Sequence, residues 1–250
     1  MPFTLSHAGF LMPLQRRLPP QIMLAAGIGS IMPDFGYCIR RFDLAWTAHS
    51  AWGGLLVSLP LGLVVYGVYF TLWQDIAALL PQPHRLFWRS LPRQVGNPVG
   101  IAIALLLGAY SHNIVDSCTH ASGWMVMHFP WLQQPIGWLA GEAVAPYRFL
   151  QNGGSLVGMI MLLVFYGLQV RKFSLAKGLK FWQEGDRWLL GISFLVVTGM
   201  ISAVFHLRIL LDYPSVLGVR MLVFRMLITW MPLGFGVIVA LALGRRILRT

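Results

Sequence analysis

The sequence predicts an all-α protein, a polytopic bundle of membrane helices. Of its 250 residues 57% are hydrophobic and only 11% charged, against about 25% charged in soluble domains. Five stretches, residues 50–73, 98–119, 153–170, 188–207 and 221–244, reach or approach the roughly 20 apolar residues that a bilayer core demands. The basic residues sit in small groups between these runs, which is how topology is written into a membrane chain.

The first 49 residues precede the long spans. Leu5 to Leu18 and Gln21 to Met32 are each too short to cross comfortably, and Pro19-Pro20 separates them. A short helical hairpin, tolerated where protein or water surrounds its irregular parts, would return residue 7 to the neighbourhood of residue 34. The start lacks a charged n-region and a small-residue cleavage site, so no removed signal peptide is expected. Residues 50–152 hold the two central spans and an interfacial segment from Trp124 to Leu150, rich in Trp and Pro, since Trp and Tyr favour headgroup depth. Residues 153–250 hold the last three spans, and the whole chain reads as one integral membrane domain.

Lys and Arg counts set the orientation. The loops after the first and third spans and the C-terminus carry eleven, and the alternate loops carry five, which puts the C-terminus of a multi-pass membrane protein in the cytoplasm. The formal charge of +11 forms no continuous stripe, and no nucleic-acid motif or phosphate loop accompanies it, so nucleic acid is excluded as a partner. Cys38 and Cys118 are too few for a disulfide framework or a four-thiolate zinc site. They are one possible bridge or, as the favoured reading, two thiols in apolar surroundings.

Against this background one polar block stands out. Ser111 to His120 ends the second span with His112, Asp116 and His120 at every fourth residue, one face of a helix. Ionisable groups at membrane depth cost several kcal/mol unless paired, hydrated or metal-bound. The predicted orientation puts the outer end of this span on the same side as Asp34, His49 and the returning His7. His7, Asp34, His49, His112, Asp116 and, more loosely, His120 are therefore candidate ligands of a divalent metal, zinc first, with manganese or iron as alternatives. Asp116, between two histidines, is the natural bridge to a second ion. Each residue alone has a plainer reading: His112 and Asp116 as a buried hydrogen-bonded pair, Asp34 as a turn residue, His49 as an interfacial one. Glu142 and Arg148 fall in the covering segment, where Arg148 can hold an anion in a catalytic role or merely face headgroups. His84, His128 and His206 read as loop, surface and interfacial residues.

Several blocks together resemble a bacterial membrane family catalogued as domain of unknown function 4184. They are Met-Pro-Phe-Thr-Leu-Ser-His7, Ser30-Ile-Met-Pro-Asp34, Thr47-Ala-His-Ser50, the Gly108 to His120 block and Tyr147 to Ser155. The resemblance covers roughly the first two thirds of the chain and implies topology, not activity. The order His, Asp, His, His-x3-Asp is also similar to that of membrane-bound metal-dependent hydrolases and, distantly, of the zinc-dependent phospholipase C and P1-type nuclease fold. That likeness implies one ion held by Asp34, His49, His112 and Asp116, and a second by His7 with a bridging Asp116. The soluble enzymes add an N-terminal Trp and a later His-x3-Glu or His-x3-Asp pair, which this chain lacks, so one or two ions are expected. The expected function is hydrolysis of a phosphoester or lipid-linked substrate at the outer face, with membrane lipid as partner. A transporter or proton relay through His112, Asp116 and His120 is the alternative, and a structural membrane protein a third.

Overall fold

A computed structural model describes residues 3–91, 94–139, 142–178, 184–207 and 216–248. Among these the protein is all-α apart from one small hairpin. Five of its helical segments are long and apolar enough to cross a membrane: Gly54–Leu79, Pro98–His128, Pro146–Lys177, Gly185–Val204 and Ile228–Ile247. Arg93, Lys180, Arg208 and Arg249, which entered the charge count, lie outside the described residues.

The chain forms two compact units, the first comprising Met1–Gly36, Phe42–Phe70 and Pro92–Leu168. It opens with α1 (Thr4–Leu11), a 3-10 turn (Met12–Arg16) and α2 (Pro20–Gly29). Pro19 and Pro20 divide them, with Pro20 at the first helical position, where its missing N–H costs nothing. α1 packs on α2, which is the predicted hairpin. After α3 (Phe35–Cys38) and α4 (Phe42–Ala48), a π-helical stretch (Gly54–Ser58) leads into α5 (Leu59–Leu79). His49 therefore closes α4, with its N–H on the Ala45 carbonyl.

The centre of this unit is α7 (Pro98–Thr119), whose Asn97 side chain caps Val99 N–H at 3.0 Å. The most extensive helix pairing is between α2 and α7. Its cause lies in two glycines. A side chain on Gly29 would strike the Leu105 carbonyl, and one on Gly108 the Ala26 carbonyl, so the two backbones meet directly. Ala25, Ala26, Ile28, Met32, Tyr66, Ile101, Ala104 and Leu105 form the core around that contact. A second glycine pair, Gly9 and Gly158, brings α1 equally close to α9 (Pro146–Lys177).

The segment expected to lie at the interface resolves into α8 (Trp124–His128), a 3-10 turn (Pro130–Leu132) and a β-hairpin. In the hairpin β1 (Gly137–Leu139) pairs antiparallel with β2 (Glu142–Val144). Its Trp124, Trp131 and Trp138 are exposed. The segment ends earlier than predicted, because Pro146 starts α9 and draws Arg148 into its first turn. The side chain of Glu142 lies outside the described residues.

The second unit comprises Tyr37–Arg41, Thr71–Leu91 and Gln169–Thr250, with α6 (His84–Ser90), α10 (Gly185–His206) and α11 (Val216–Ile247). A polar seam joins α10 to α11. Thr198, Ser202 and His206, four residues apart and all buried, meet Trp230 Nε1 (2.8 Å), the Met226 carbonyl (2.9 Å) and Thr229 Oγ1 (2.8 Å). Each such bond between membrane helices contributes about 0.6–2 kcal/mol. His206, expected at the interface, belongs to this seam. His84, expected in a loop, is buried with its ring edge-on to Trp188, while His128 is exposed and stacks on Trp124. Cys38 and Cys118 form no disulfide with each other.

Candidate metal centre

Four segments of the first unit deliver polar side chains to one place. His112 and Asp116 come from successive turns of α7, and both are buried. His7 projects from α1, Asp34 from the turn before α3, and His49 from the end of α4. That last segment is clamped to α7 on either side of His49, where Asn113 Nδ2 donates to the Ala48 carbonyl (3.1 Å) and Tyr110 Oη to the Ala51 carbonyl (3.0 Å).

One ligand atom from each of Asp34, His49, His112 and Asp116 lies within 4.8 Å of all the others. The atoms alternate around a ring. Asp34 Oδ1 is 3.6 Å from both His49 Nε2 and His112 Nε2, and Asp116 Oδ2 is 3.4 Å from both. These separations exceed the 2.7–3.2 Å of an N–H···O hydrogen bond. A tetrahedron of N and O ligands about 2.0–2.2 Å from a central ion has edges of about 3.3–3.6 Å. The ring has the spacing of a coordination shell.

The remaining atoms of these groups are tied back to the protein. His112 Nδ1 donates to the Ser30 carbonyl and His49 Nδ1 to the Ala45 carbonyl, each at 2.8 Å, so in the neutral, metal-binding form both rings would present an Nε2 lone pair inward. Thr4 Oγ1 donates to Asp34 Oδ2 at 2.6 Å, which leaves Oδ1 for the ring. Meanwhile Asp34 Oδ1 and His112 Nε2 are buried with no hydrogen-bond partner among the described residues. A buried polar atom without a partner costs about 1–3 kcal/mol, and an ion would satisfy both at once.

His7 occupies the other side of Asp116. Its Nε2 is 3.4 Å from Asp116 Oδ1, and its ring stacks on His112 at 3.8 Å. Both His7 nitrogens and Asp116 Oδ1 are buried and have no hydrogen-bond partner among the described residues. Burial, with the neighbouring His112 adding to it, lowers His7 to about 4. Burial alone would raise Asp34, but His112 and the Thr4 hydroxyl hold its carboxyl below the usual range. Both groups are thus in their metal-binding, deprotonated forms at neutral pH.

His120 sits at the edge. Its Nδ1 is 3.1 Å from the Asp116 carbonyl and 3.5 Å from Asp116 Oδ2, and it lies outside the four-residue group. Arg148 is exposed, with Nε donating to Tyr147 Oη at 3.1 Å. Sequence reasoning missed Thr4, Tyr110 and Asn113 as supports of the site. Thr4 stands three residues before His7, a spacing that puts both on one helix face, so that signal was present. The Ser30 and Ala45 carbonyls left none, because any residue supplies one.

Fold and site together define an all-α membrane protein with a buried Asp, His, His, Asp group that could hold a metal ion. The chain belongs to the family described as Domain of unknown function (DUF4184), whose model matches residues 1–243. The match extends well past the first two thirds that carried the resemblance. No curated protein and no solved structure matches the chain.

Proposed function

We propose that the protein is a membrane-embedded metal-dependent hydrolase acting on a phosphoester or lipid-linked substrate at the outer face. The observation that carries this reading is the ring of alternating carboxylate oxygens and imidazole nitrogens at 3.4–3.6 Å. Two imidazoles and two carboxylates suit zinc best among common ions, with manganese or iron next. A divalent ion there would polarise a phosphoryl or carbonyl oxygen and acidify a water, the two requirements of ester hydrolysis at neutral pH.

The residues of the chain then have distinct tasks. Asp34, His49, His112 and Asp116 hold the first ion. Asp116 turns its second oxygen to His7, so this pair supplies the start of a second position. His49, the most exposed of the four with 23% of its side chain accessible, marks the approach for substrate. Arg148, near the outer rim in the predicted topology, is the candidate to orient an anion.

A proton relay would use the same side chains, but the hydrogen bonds favour metal. Passing a proton through an imidazole needs a proton acceptor at each nitrogen. Nδ1 of both His49 and His112 ends on a backbone carbonyl, which cannot carry the proton onward.

The test is metal analysis of the detergent-purified full chain after supplementation with zinc, manganese or iron, beside Asp116→Ala and His112→Ala. One or two ions per wild-type chain, lost in both variants, are expected. Absence of stoichiometric metal in the wild type overturns the reading.

A further inference from the structure

The Asp, His, His, Asp ring lies at one end of its unit. His112 and Asp116 stand near the end of α7, which closes at Thr119, and α9 starts back from Pro146. Both helices are long and apolar enough to cross a membrane, so the described residues between them lie at the membrane face that holds the ring. His49 shares the ring with Asp116, which brings the end of α4 and the turn after it to the same face.

Tryptophans flank this end on two segments. Trp46 and Trp52 stand three residues before and three after His49, with 76% and 70% of their surface exposed. Trp124, Trp131 and Trp138 follow His120, whose Nδ1 is 3.5 Å from Asp116 Oδ2, and are exposed as well. Both segments are fixed in place. Asn113 and Tyr110 clamp the first on either side of His49. In the second α8 packs on α7, Val126 and Leu132 are buried, and Gln133 Nε2 donates to the Val126 carbonyl at 2.9 Å. Neither residues 44–74 nor residues 121–141 contain Asp, Glu, Lys or Arg. A mouth that collects soluble anions is lined with cations that steer them, whereas a fixed, exposed apolar patch marks contact with another molecule or a membrane. Here the patch continues the outward side of a span. Val99, Ile103, Leu107 and Ile114 are exposed along one face of α7, which leads to the end where Trp124 begins. Tryptophan also favours headgroup depth, with an apolar ring and one N–H donor for polar lipid groups.

We infer that the ring takes its substrate from the bilayer: the phosphate of a membrane phospholipid reaches it past His49, between two tryptophan-bearing segments that lie in the headgroup layer, while the acyl chains stay in the membrane. This rests on the metal-centre reading above and narrows its substrate from phosphoesters in general to lipid-borne ones. The tryptophans hold the mouth of the site level with the headgroups, so a lipid need not leave the bilayer to be bound. Arg148, at the start of α9 on the same face, adds a cation for the headgroup phosphate.

The experiment loads the full chain with cobalt, a paramagnetic stand-in for zinc, or with manganese. Samples in nanodiscs of phosphatidylglycerol and phosphatidylethanolamine are compared with samples in dodecyl maltoside supplemented with glycerol 3-phosphate, a soluble phosphoester. The readout is electron–nuclear double resonance of the bound ion, which registers phosphorus only in its immediate neighbourhood. Phosphorus coupling in the nanodiscs is expected. It should weaken in the double variant Trp46→Ser, Trp52→Ser and in Trp124→Ser at unchanged metal content. Val164→Ser, at an exposed position within α9, should keep it. If the double variant does not fold, Trp124→Ser carries the comparison. Bound metal without lipid phosphorus coupling, whether or not glycerol 3-phosphate couples, overturns this inference and leaves the metal centre standing. Coupling that the tryptophan variants leave intact, or that Val164→Ser weakens equally, overturns it too. If neither ion binds, the metal-centre reading fails and this inference with it.

Discussion

The Thr4 hydroxyl donates to Asp34 Oδ2 at 2.6 Å across thirty residues of chain, and by occupying that oxygen it turns Oδ1 toward His49 and His112. Such outer contacts typically change metal affinity 10–100-fold. Thr4→Val should weaken metal retention by about that factor, as read by competition with a chromophoric chelator, while Thr4→Ser should restore it. Wild-type affinity in Thr4→Val would remove the hydroxyl from the account of the site.

Asp116 faces two ways, with Oδ2 toward His49 and His112 and Oδ1 toward His7. If His7 serves a second ion, His7→Gln should lower the metal content from two to one while sparing the first site. Asp116→Ala should empty both. Equal loss in the two variants would assign His7 to the first ion instead.

Close approach of α2 and α7 depends on Gly108, where a side chain would meet the Ala26 carbonyl. Gly108→Val should cost about 1–3 kcal/mol or more through overpacking, lower the thermal midpoint and abolish metal binding, because it displaces Ser30 from His112. Gly27→Ala, on a face of α2 with nothing within 4 Å, should leave both measurements unchanged.

His7 gives the metal-free protein a defined response to acid. The unfolded chain protonates this imidazole near 6.5, whereas the folded one, lowered by burial, does so only near 4. Between those values the unfolded state binds more protons, so the contribution of His7 is complete above 6.5 and is lost as pH falls toward 4. The loss amounts to about 3 kcal/mol. Thermal unfolding of the chelator-treated protein at pH 7 and pH 4.5 should show it, and His7→Gln should flatten the difference. An unchanged slope would place the acid sensitivity elsewhere.

Orientation is tested separately. A reporter fused at Gly123, just past the end of α7, should register as periplasmic, and one at the C-terminus as cytoplasmic. A cytoplasmic signal from Gly123 would reverse the assignment drawn from Lys and Arg.

The long spans were legible because length and apolarity alone define them, and Pro19-Pro20 announced the hairpin. His7, Asp34, His49, His112 and Asp116 were legible as a set because ionisable groups are scarce in such a chain and helical spacing linked the last two. Boundaries were less so. The third span reads as starting at residue 153, yet α9 begins at Pro146, since a proline at the first helical position starts the helix earlier. The α10–α11 seam went unseen although Thr198, Ser202 and His206 recur at helical spacing, because scattered hydroxyls in an apolar run look like tolerated residues until a partner helix is known. The hairpin of Gly137–Leu139 and Glu142–Val144 left no alternation long enough to read.

The dependence of the site on α2 docking against α7 fixes an order of events during synthesis. Thr4, His7, Ser30 and Asp34 leave the ribosome well before His112 and Asp116. At about 5–20 residues per second that interval is roughly 4–16 s. Through it the hairpin carries a histidine and a carboxylate whose partners do not yet exist, so it must stay wet at the membrane surface and close onto α7 only after that span has inserted. A bulky fusion that retains the N-terminus on the cytoplasmic side should therefore leave the five spans inserted and the metal centre unassembled.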